Sequence, residues 1–184
     1  MRSSLVIILW ISMFCCLMSC AVEYDEARTD DAIQGSELHD GVATVLVNWK
    51  SGLCIGVDYA SMENGALLKQ FACVTDAPNQ KWVPMFRGPY TSFIDFKSGK
   101  CMGVDGASYD SGANIGQFNC VYAAPEQEWR VVVGGGYTFL LINAGSGLCI
   151  GVDGASTAGG AQLKQFPCVD RAANQQWTTL RILR

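Results

Sequence analysis

Histidine is nearly absent from this 184-residue chain; His39 is the only one. It lies in a polar stretch, where a solvated side chain is the ordinary outcome. Histidine-based acid–base catalysis and histidine-containing zinc sites therefore have nothing to build on after residue 40. A basic excess is also missing, with 13 Lys and Arg against 17 Asp and Glu and a net charge of −4. That balance argues against a module that grips nucleic-acid phosphates. Long apolar runs are absent as well. The N-terminal run, even counted from Leu5 through Val22, reaches 18 residues, short of the about 20 that a membrane span needs. No amphipathic helical pattern occurs after residue 40, and Gly134-Gly135-Gly136 reads as a loop between strands, not as a phosphate cradle. What is there in quantity is apolar material, 49% of the chain, which excludes a wholly disordered protein.

Residues 1–20 have the layout of an export signal. Arg2 is the positive start, Leu5 to Met18 is apolar except for Ser12, and the small residues Ser19, Cys20 and Ala21 follow. The tetrapeptide Leu17-Met18-Ser19-Cys20 resembles a bacterial lipoprotein cleavage box, with Met18 departing from the usual pattern. That resemblance implies acylation of Cys20 and anchoring at the cell envelope without a span. Cleavage near Ala21 and free secretion is the alternative. Residues 21–41 carry seven acids offset only by Arg28, and they read as a solvated, disordered tether. The remainder, 41–184, holds ten acids against eleven Lys and Arg. The acidity of the chain thus belongs to the tether.

From residue 42 onward one unit is written three times, as repeats of about 42–88, 89–135 and 136–184. Ser51 begins SGLCIGVDYAS, Ser98 begins SGKCMGVDGAS and Ser146 begins SGLCIGVDGAS. Each copy continues to a Gly-Ala pair, a Gln-Phe pair and a second cysteine 19 residues after the first. Each then reaches a tryptophan preceded by Gln-x, at Gln80-Lys81-Trp82, Gln127-Glu128-Trp129 and Gln175-Gln176-Trp177. Short apolar segments between Gly, Asp, Ser, Asn and Pro clusters predict four strands per copy, in the first copy about 44–50, 53–58, 66–71 and 81–87. Three units of four strands predict an all-β fold that closes with threefold pseudo-symmetry and so hides its edges.

Six cysteines remain once Cys15, Cys16 and Cys20 are assigned to the export segment. Their constant spacing selects bridges within repeats, Cys54–Cys73, Cys101–Cys120 and Cys149–Cys168. Zinc is disfavoured by that spacing and by the missing histidines. Trp82, Trp129 and Trp177 begin a strand in each copy and are expected in a shared core. Strand parity places Asp58 with Cys54 and Gly56, and Phe71 with Lys69 and Cys73, and the bridge brings those faces together. Asp58, Lys69 and Phe71 are therefore expected on the outside of the first lobe. The third copy repeats them as Asp153, Lys164 and Phe166; the second has Asp105 and Phe118, with Gly116 in place of the lysine. A carboxylate beside an aromatic ring suits a sugar, whose hydroxyls donate to the acid while its C–H face covers the ring. Turn formation by the Val-Asp-Gly-Ala-Ser segment is the competing role for the aspartates.

Three copies of a Cys-containing strand, a second Cys and Gln-x-Trp resemble the ricin B-type lectin domain, over residues about 42–184. The resemblance implies a β-trefoil of three four-stranded pseudo-symmetric lobes, the same disulfide pairing and core tryptophans. It adds Asn79 and Asn174, which precede the Gln of Gln-x-Trp and match a residue that bonds sugar hydroxyls, while the second copy has Glu126 there. It also matches Phe71, Phe118 and Phe166 to the family's stacking position. One departure is plain: where many members carry a sugar-binding Asp two residues after the first Cys, this chain has Gly56, Gly103 and Gly151. The expectation is an exported, monomeric, non-enzymatic protein that binds glycans best through repeats one and three, without cofactor, metal or nucleic acid. The alternative is a protein-interaction or toxin-targeting subunit that keeps the fold without sugar binding.

Overall fold

The computed structural model of the protein describes residues 38–180. The export segment with Cys20, residues 21–37 of the expected tether, and 181–184 lie outside the described residues. Among the described residues there are twelve strands and only single-turn 3-10 segments between them. The strands are β1 (Val45–Asn48), β2 (Cys54–Val57), β3 (Leu68–Phe71), β4 (Trp82–Arg87), β5 (Tyr90–Asp95) and β6 (Cys101–Val104). They continue as β7 (Ile115–Phe118), β8 (Trp129–Val133), β9 (Phe139–Asn143), β10 (Cys149–Val152), β11 (Leu163–Phe166) and β12 (Trp177–Leu180). The four strands expected in the first copy are all present, trimmed by a residue or two at most of their ends.

All pairings are antiparallel, and they make a ring. β1 pairs with β12, β12 with β9, β9 with β8, β8 with β5 and β5 with β4. A bridge between Thr44 and Trp82 links β4 back to β1, so the six-stranded barrel has no free edge. The other six strands form three hairpins, β2–β3, β6–β7 and β10–β11, one per repeat. This is a β-trefoil, as the resemblance implied, and it closes with the threefold pseudo-symmetry that the repeats predicted. Leu46, Ile55, Met102, Ile150 and Phe93 fill the interior around Trp82, Trp129 and Trp177, all three fully buried. Each indole N–H donates at 3.2 Å to a carbonyl of its own lobe's second strand, that of Ile55, Met102 or Ile150. Burial of an aromatic ring stabilises by a few kcal/mol, on the order of 2–3, provided its N–H is satisfied in this way.

Two sets of glutamines hold the lobes in shape. Gln80, Gln127 and Gln175 each bond backbone groups on both sides of the second cysteine, for example Val74 N–H and Ala72 C=O around Cys73. Gln70, Gln117 and Gln165 are fully buried and reach into the neighbouring lobe. Gln70 Nε2 donates to the carbonyls of Ser156 and Ala158, Gln117 to those of Ser61 and Glu63, and Gln165 to those of Ser108 and Asp110. Their Oε1 atoms accept from Ser51, Ser98 and Ser146. Every lobe thus reaches into one neighbour and receives the glutamine of the other, and each amide is satisfied as its burial requires.

The end of the expected tether behaves differently from the expectation. Leu38 packs against the core, Gly41 N–H donates to the Pro84 carbonyl, and Asp40 Oδ1 accepts from Phe86 N–H. Residues 38–41 are therefore part of the folded domain. Their polar composition hid one apolar anchor and one carboxylate placed to satisfy a strand-end N–H.

Candidate functional site

Each lobe presents the same outer surface, built by its second and third strands, the 3-10 turn after the second strand and the turn before Gln-x-Trp. In lobe one Cys54 pairs with Phe71 and Gly56 with Lys69 across the β2–β3 hairpin. The disulfide Cys54–Cys73 closes the hairpin, and Cys101–Cys120 and Cys149–Cys168 do so in the other lobes. Asp58 opens the turn Asp58–Ala60, and its carbonyl accepts from Ser61 N–H. Lys69 Nζ lies 2.6 Å from Asp58 Oδ2, and Lys164 Nζ lies 2.8 Å from Asp153 Oδ2. The acid and lysine expected on one outer face thus form an ion pair in lobes one and three. In lobe two Asp105 is exposed, and Gly116, paired with Gly103, stands where the lysine would be.

The glycines two residues after the first cysteine are explained by the rings beside them. A Cβ on Gly56 would stand 3.1 Å from Phe71 Cδ2 and 3.1 Å from Gln80 Cγ. The corresponding distances are 3.2 Å and 3.0 Å at Gly103, from Phe118 and Gln127, and 3.2 Å and 3.1 Å at Gly151, from Phe166 and Gln175. Each phenylalanine thus lies close over a bare stretch of backbone, half-buried, with part of its ring outward. Asn79 Nδ2 donates to the Val57 carbonyl at 3.2 Å, and Asn174 Nδ2 to the Val152 carbonyl at 3.5 Å. These bonds hold the amide beside the glycine and next to the aspartate turn. Asp58, Lys69, Phe71 and Asn79 are brought together, as are Asp153, Lys164, Phe166 and Asn174. In lobe two Phe118 and the Glu126 carbonyl stand beside Gly103, and Asp105 opens the turn Asp105–Ala107. Among the described residues no group of three or more His, Cys, Asp or Glu side chains converges to hold a metal ion.

Residues 42–177 match the family model described as the ricin-type beta-trefoil lectin domain. The chain belongs to that family. Solved structures agree on the architecture of this ricin-type domain. ThreeFoil, a designed threefold-symmetric protein, is 31% identical with a TM-score of 0.72, over 77% of this chain and 99% of that one. The exo-beta-1,3-galactanase of Clostridium thermocellum is 24% identical with a TM-score of 0.72, over 78% of this chain; the match spans only 31% of the galactanase. The Macrolepiota procera ricin B-like lectin, solved with lactose, is 17% identical with a TM-score of 0.67, over 79% of this chain and 99% of the lectin. No match was found among curated proteins.

The ricin-type domain also places residues at the lobe faces that the sequence reading did not assign. Lys97, from the second repeat, donates from Nζ at 2.6 Å to the Ala60 carbonyl in the aspartate turn of lobe one. Lys50, from the first repeat, does the same at 2.7 Å to Ala155 in lobe three. The third repeat has Gly145 at this position, so lobe two receives no such lysine. Tyr59, within the lobe-one turn, is 94% exposed at φ 53°. The available signal was the turn sequence itself, Asn48-Trp49-Lys50-Ser51, Asp95-Phe96-Lys97-Ser98 and Asn143-Ala144-Gly145-Ser146. It lies at a repeat's start and serves a different repeat, so in-repeat parity could not connect the two.

Proposed function

We propose that this domain binds carbohydrate at its lobe faces, with lobes one and three the working sites and lobe two the weaker. One observation carries the reading. An ion-paired carboxylate, a half-buried phenylalanine and an anchored asparagine recur together in lobes one and three of a ricin-type domain. The phenylalanine offers a surface for the C–H face of a pyranose. Asp58 and Asp153 keep acceptor capacity beyond the bond to lysine, since a carboxylate has about four lone-pair positions. Lys69 and Lys164 fix each carboxylate and leave the local charge near zero, which suits a hydroxyl-rich ligand. Two like sites on one rigid body would gain avidity on a multivalent glycan. The role is binding without catalysis, by a monomer exported to the cell envelope or beyond it through the 1–20 segment.

A glycan array tests this. Wild type is expected to bind at least one glycan, and Asp58→Ala with Asp153→Ala, or Phe71→Ala with Phe166→Ala, is expected to lose that signal. Retention by both double variants would refute the assignment of the sites. A second reading, a protein-interaction or toxin-targeting subunit, draws on Gly56, Gly103 and Gly151, where the family's sugar-binding carboxylate is replaced. A folded protein blank on every glycan would favour it.

A further inference from the structure

We propose that lobes one and three each carry a second subsite, at the seam with the adjoining repeat, that takes an acidic sugar residue such as a uronate or a sulfated hexose. The inference rests on the carbohydrate-binding reading above and names the ligand class that reading leaves open.

Charge carries the first part. At lobe one Asp58 is offset by Lys69, and Lys97, whose charge also bears on the buried carboxyl of Asp95, adds a cation beside the aspartate turn. At lobe three Asp153 is offset by Lys164, and Lys50 adds the cation. An ammonium has three N–H donors. The bond to the Ala60 or Ala155 carbonyl uses one of them, and neither Lys97 nor Lys50 joins an ion pair among the described residues. Two donors on each remain for an anion. The backbone carbonyl fixes the position of an otherwise flexible lysine tip, so the charge is held at the seam.

Aromatic surface carries the second part. Phe96 and Trp49 immediately precede these lysines and are 58% and 54% exposed. Lobe one adds Tyr59, held in a left-handed backbone conformation that its counterparts Gly106 and Gly154 adopt freely. An exposed aromatic kept at an unfavourable backbone angle, a cost of roughly 1–2 kcal/mol, is better accounted for by a ligand than by packing. An acidic sugar presents both features, a C–H face for a ring and an anionic group for an ammonium.

Lobe two supplies the internal contrast. There the same seam is lined by Ala107, Tyr109, Glu126 and Gly145, so it differs from the other two in charge and not in having an aromatic ring. Glycine stands where the lysine would be, and among the described residues the carboxylates of Asp105 and Glu126 have no cation in an ion pair. This face would repel an anion.

Affinity electrophoresis in polygalacturonate and in an uncharged galactan tests the subsite on the full domain. Wild type is expected to bind polygalacturonate more tightly than galactan, and to weaken between about 50 and about 500 mM NaCl as screening shortens. Lys50→Gln with Lys97→Gln is expected to lose about fivefold or more toward polygalacturonate. Lys100→Gln, which removes one positive charge from a lysine bonded to Asn119 and not to a seam carbonyl, is expected to match wild type, and thermal melts of all three confirm folding. Galactan bound as tightly as polygalacturonate, or a double variant with wild-type affinity for the acidic polymer, overturns the subsite. Binding to galactan alone overturns the subsite and leaves carbohydrate binding standing. Binding to neither polymer overturns the subsite, and a blank glycan array in addition overturns carbohydrate binding itself.

Discussion

Replacing Asp95 with asparagine should make the protein more stable at neutral pH. The residue begins the turn after β5 and is fully buried. Its Oδ1 accepts from Ser98 N–H at 2.7 Å, while Oδ2 is buried without a hydrogen-bond partner. The other two lobes have asparagine here. Asn143 Nδ2 donates to the Glu126 and Glu128 carbonyls at 3.1 and 3.4 Å, and Asn48 Nδ2 to those of Asn174 and Gln176 at 3.0 and 3.4 Å. By the pseudo-threefold, Oδ2 of Asp95 is set toward the carbonyls of Asn79 and Lys81, where an ionised oxygen has nothing to offer. Burial pushes the Asp95 carboxyl up from the usual carboxylate range, opposed by the Ser98 hydrogen bonds and by Lys97. The sign follows from proton uptake. Below the unfolded value of about 3.9 both states are protonated. As pH rises toward the folded value, the folded state still holds a proton that the unfolded chain has released, so stability falls across that window and then levels. Asparagine removes the unpaired acceptor and supplies the missing donor, a gain of about 1–3 kcal/mol. For a domain of this size that corresponds to roughly 3–9 °C in Tm. Thermal unfolding of wild type and Asp95→Asn, followed by circular dichroism from pH 4 to pH 8, measures it. The gap should be widest at neutral pH and narrow toward pH 4. A variant no more stable than wild type at pH 7, or a gap independent of pH, would refute the reasoning.

Three further outcomes follow from the same geometry. Gln165→Ala strips three hydrogen bonds from a buried inter-lobe contact and should cost about 2–4 kcal/mol in urea unfolding, against under about 0.5 for Lys100→Ala on the surface. Cys101→Ala with Cys120→Ala opens a loop of about 20 residues and should cost roughly 2–4 kcal/mol, read as a lower denaturation midpoint with a retained β-sheet spectrum. Phe166→Ala should weaken glycan binding several-fold more than Phe118→Ala, measured by calorimetry on an array-identified glycan, because lobe two lacks the acid–lysine pair; equal losses would contradict the ranking of the lobes.

The fold was legible because its information is local and written three times. A period-2 pattern in short strands, a fixed cysteine spacing and a tryptophan at one register define each lobe, and three like lobes leave few ways to close. Asp58, Lys69 and Phe71 were legible for the same reason, since two strands and a disulfide fix their faces. Lys50 and Lys97 were not, because they act across a seam whose order depends on which lobe abuts which. Asp95 was visible as a departure from Asn48 and Asn143, but its meaning needed its burial. The ring contact that makes glycine fit at 56, 103 and 151 is a matter of tenths of an ångström, and no pattern of residue types records it. The anchoring of Leu38 and Asp40 was masked by an acidic neighbourhood.

The pairing of β1 with β12, Val45 opposite Leu180, has a consequence in time. Of the described strands, the first must wait for the twelfth before the ring can close, and the Gln70 side chain finds its carbonyls only when Ser156 and Ala158 exist. Contacts of such long sequence separation are slow to form. A nascent chain that has emerged only through its second repeat can pair β2 with β3, β6 with β7 and β5 with β8, but it keeps an open edge on β1 until the third repeat supplies β12.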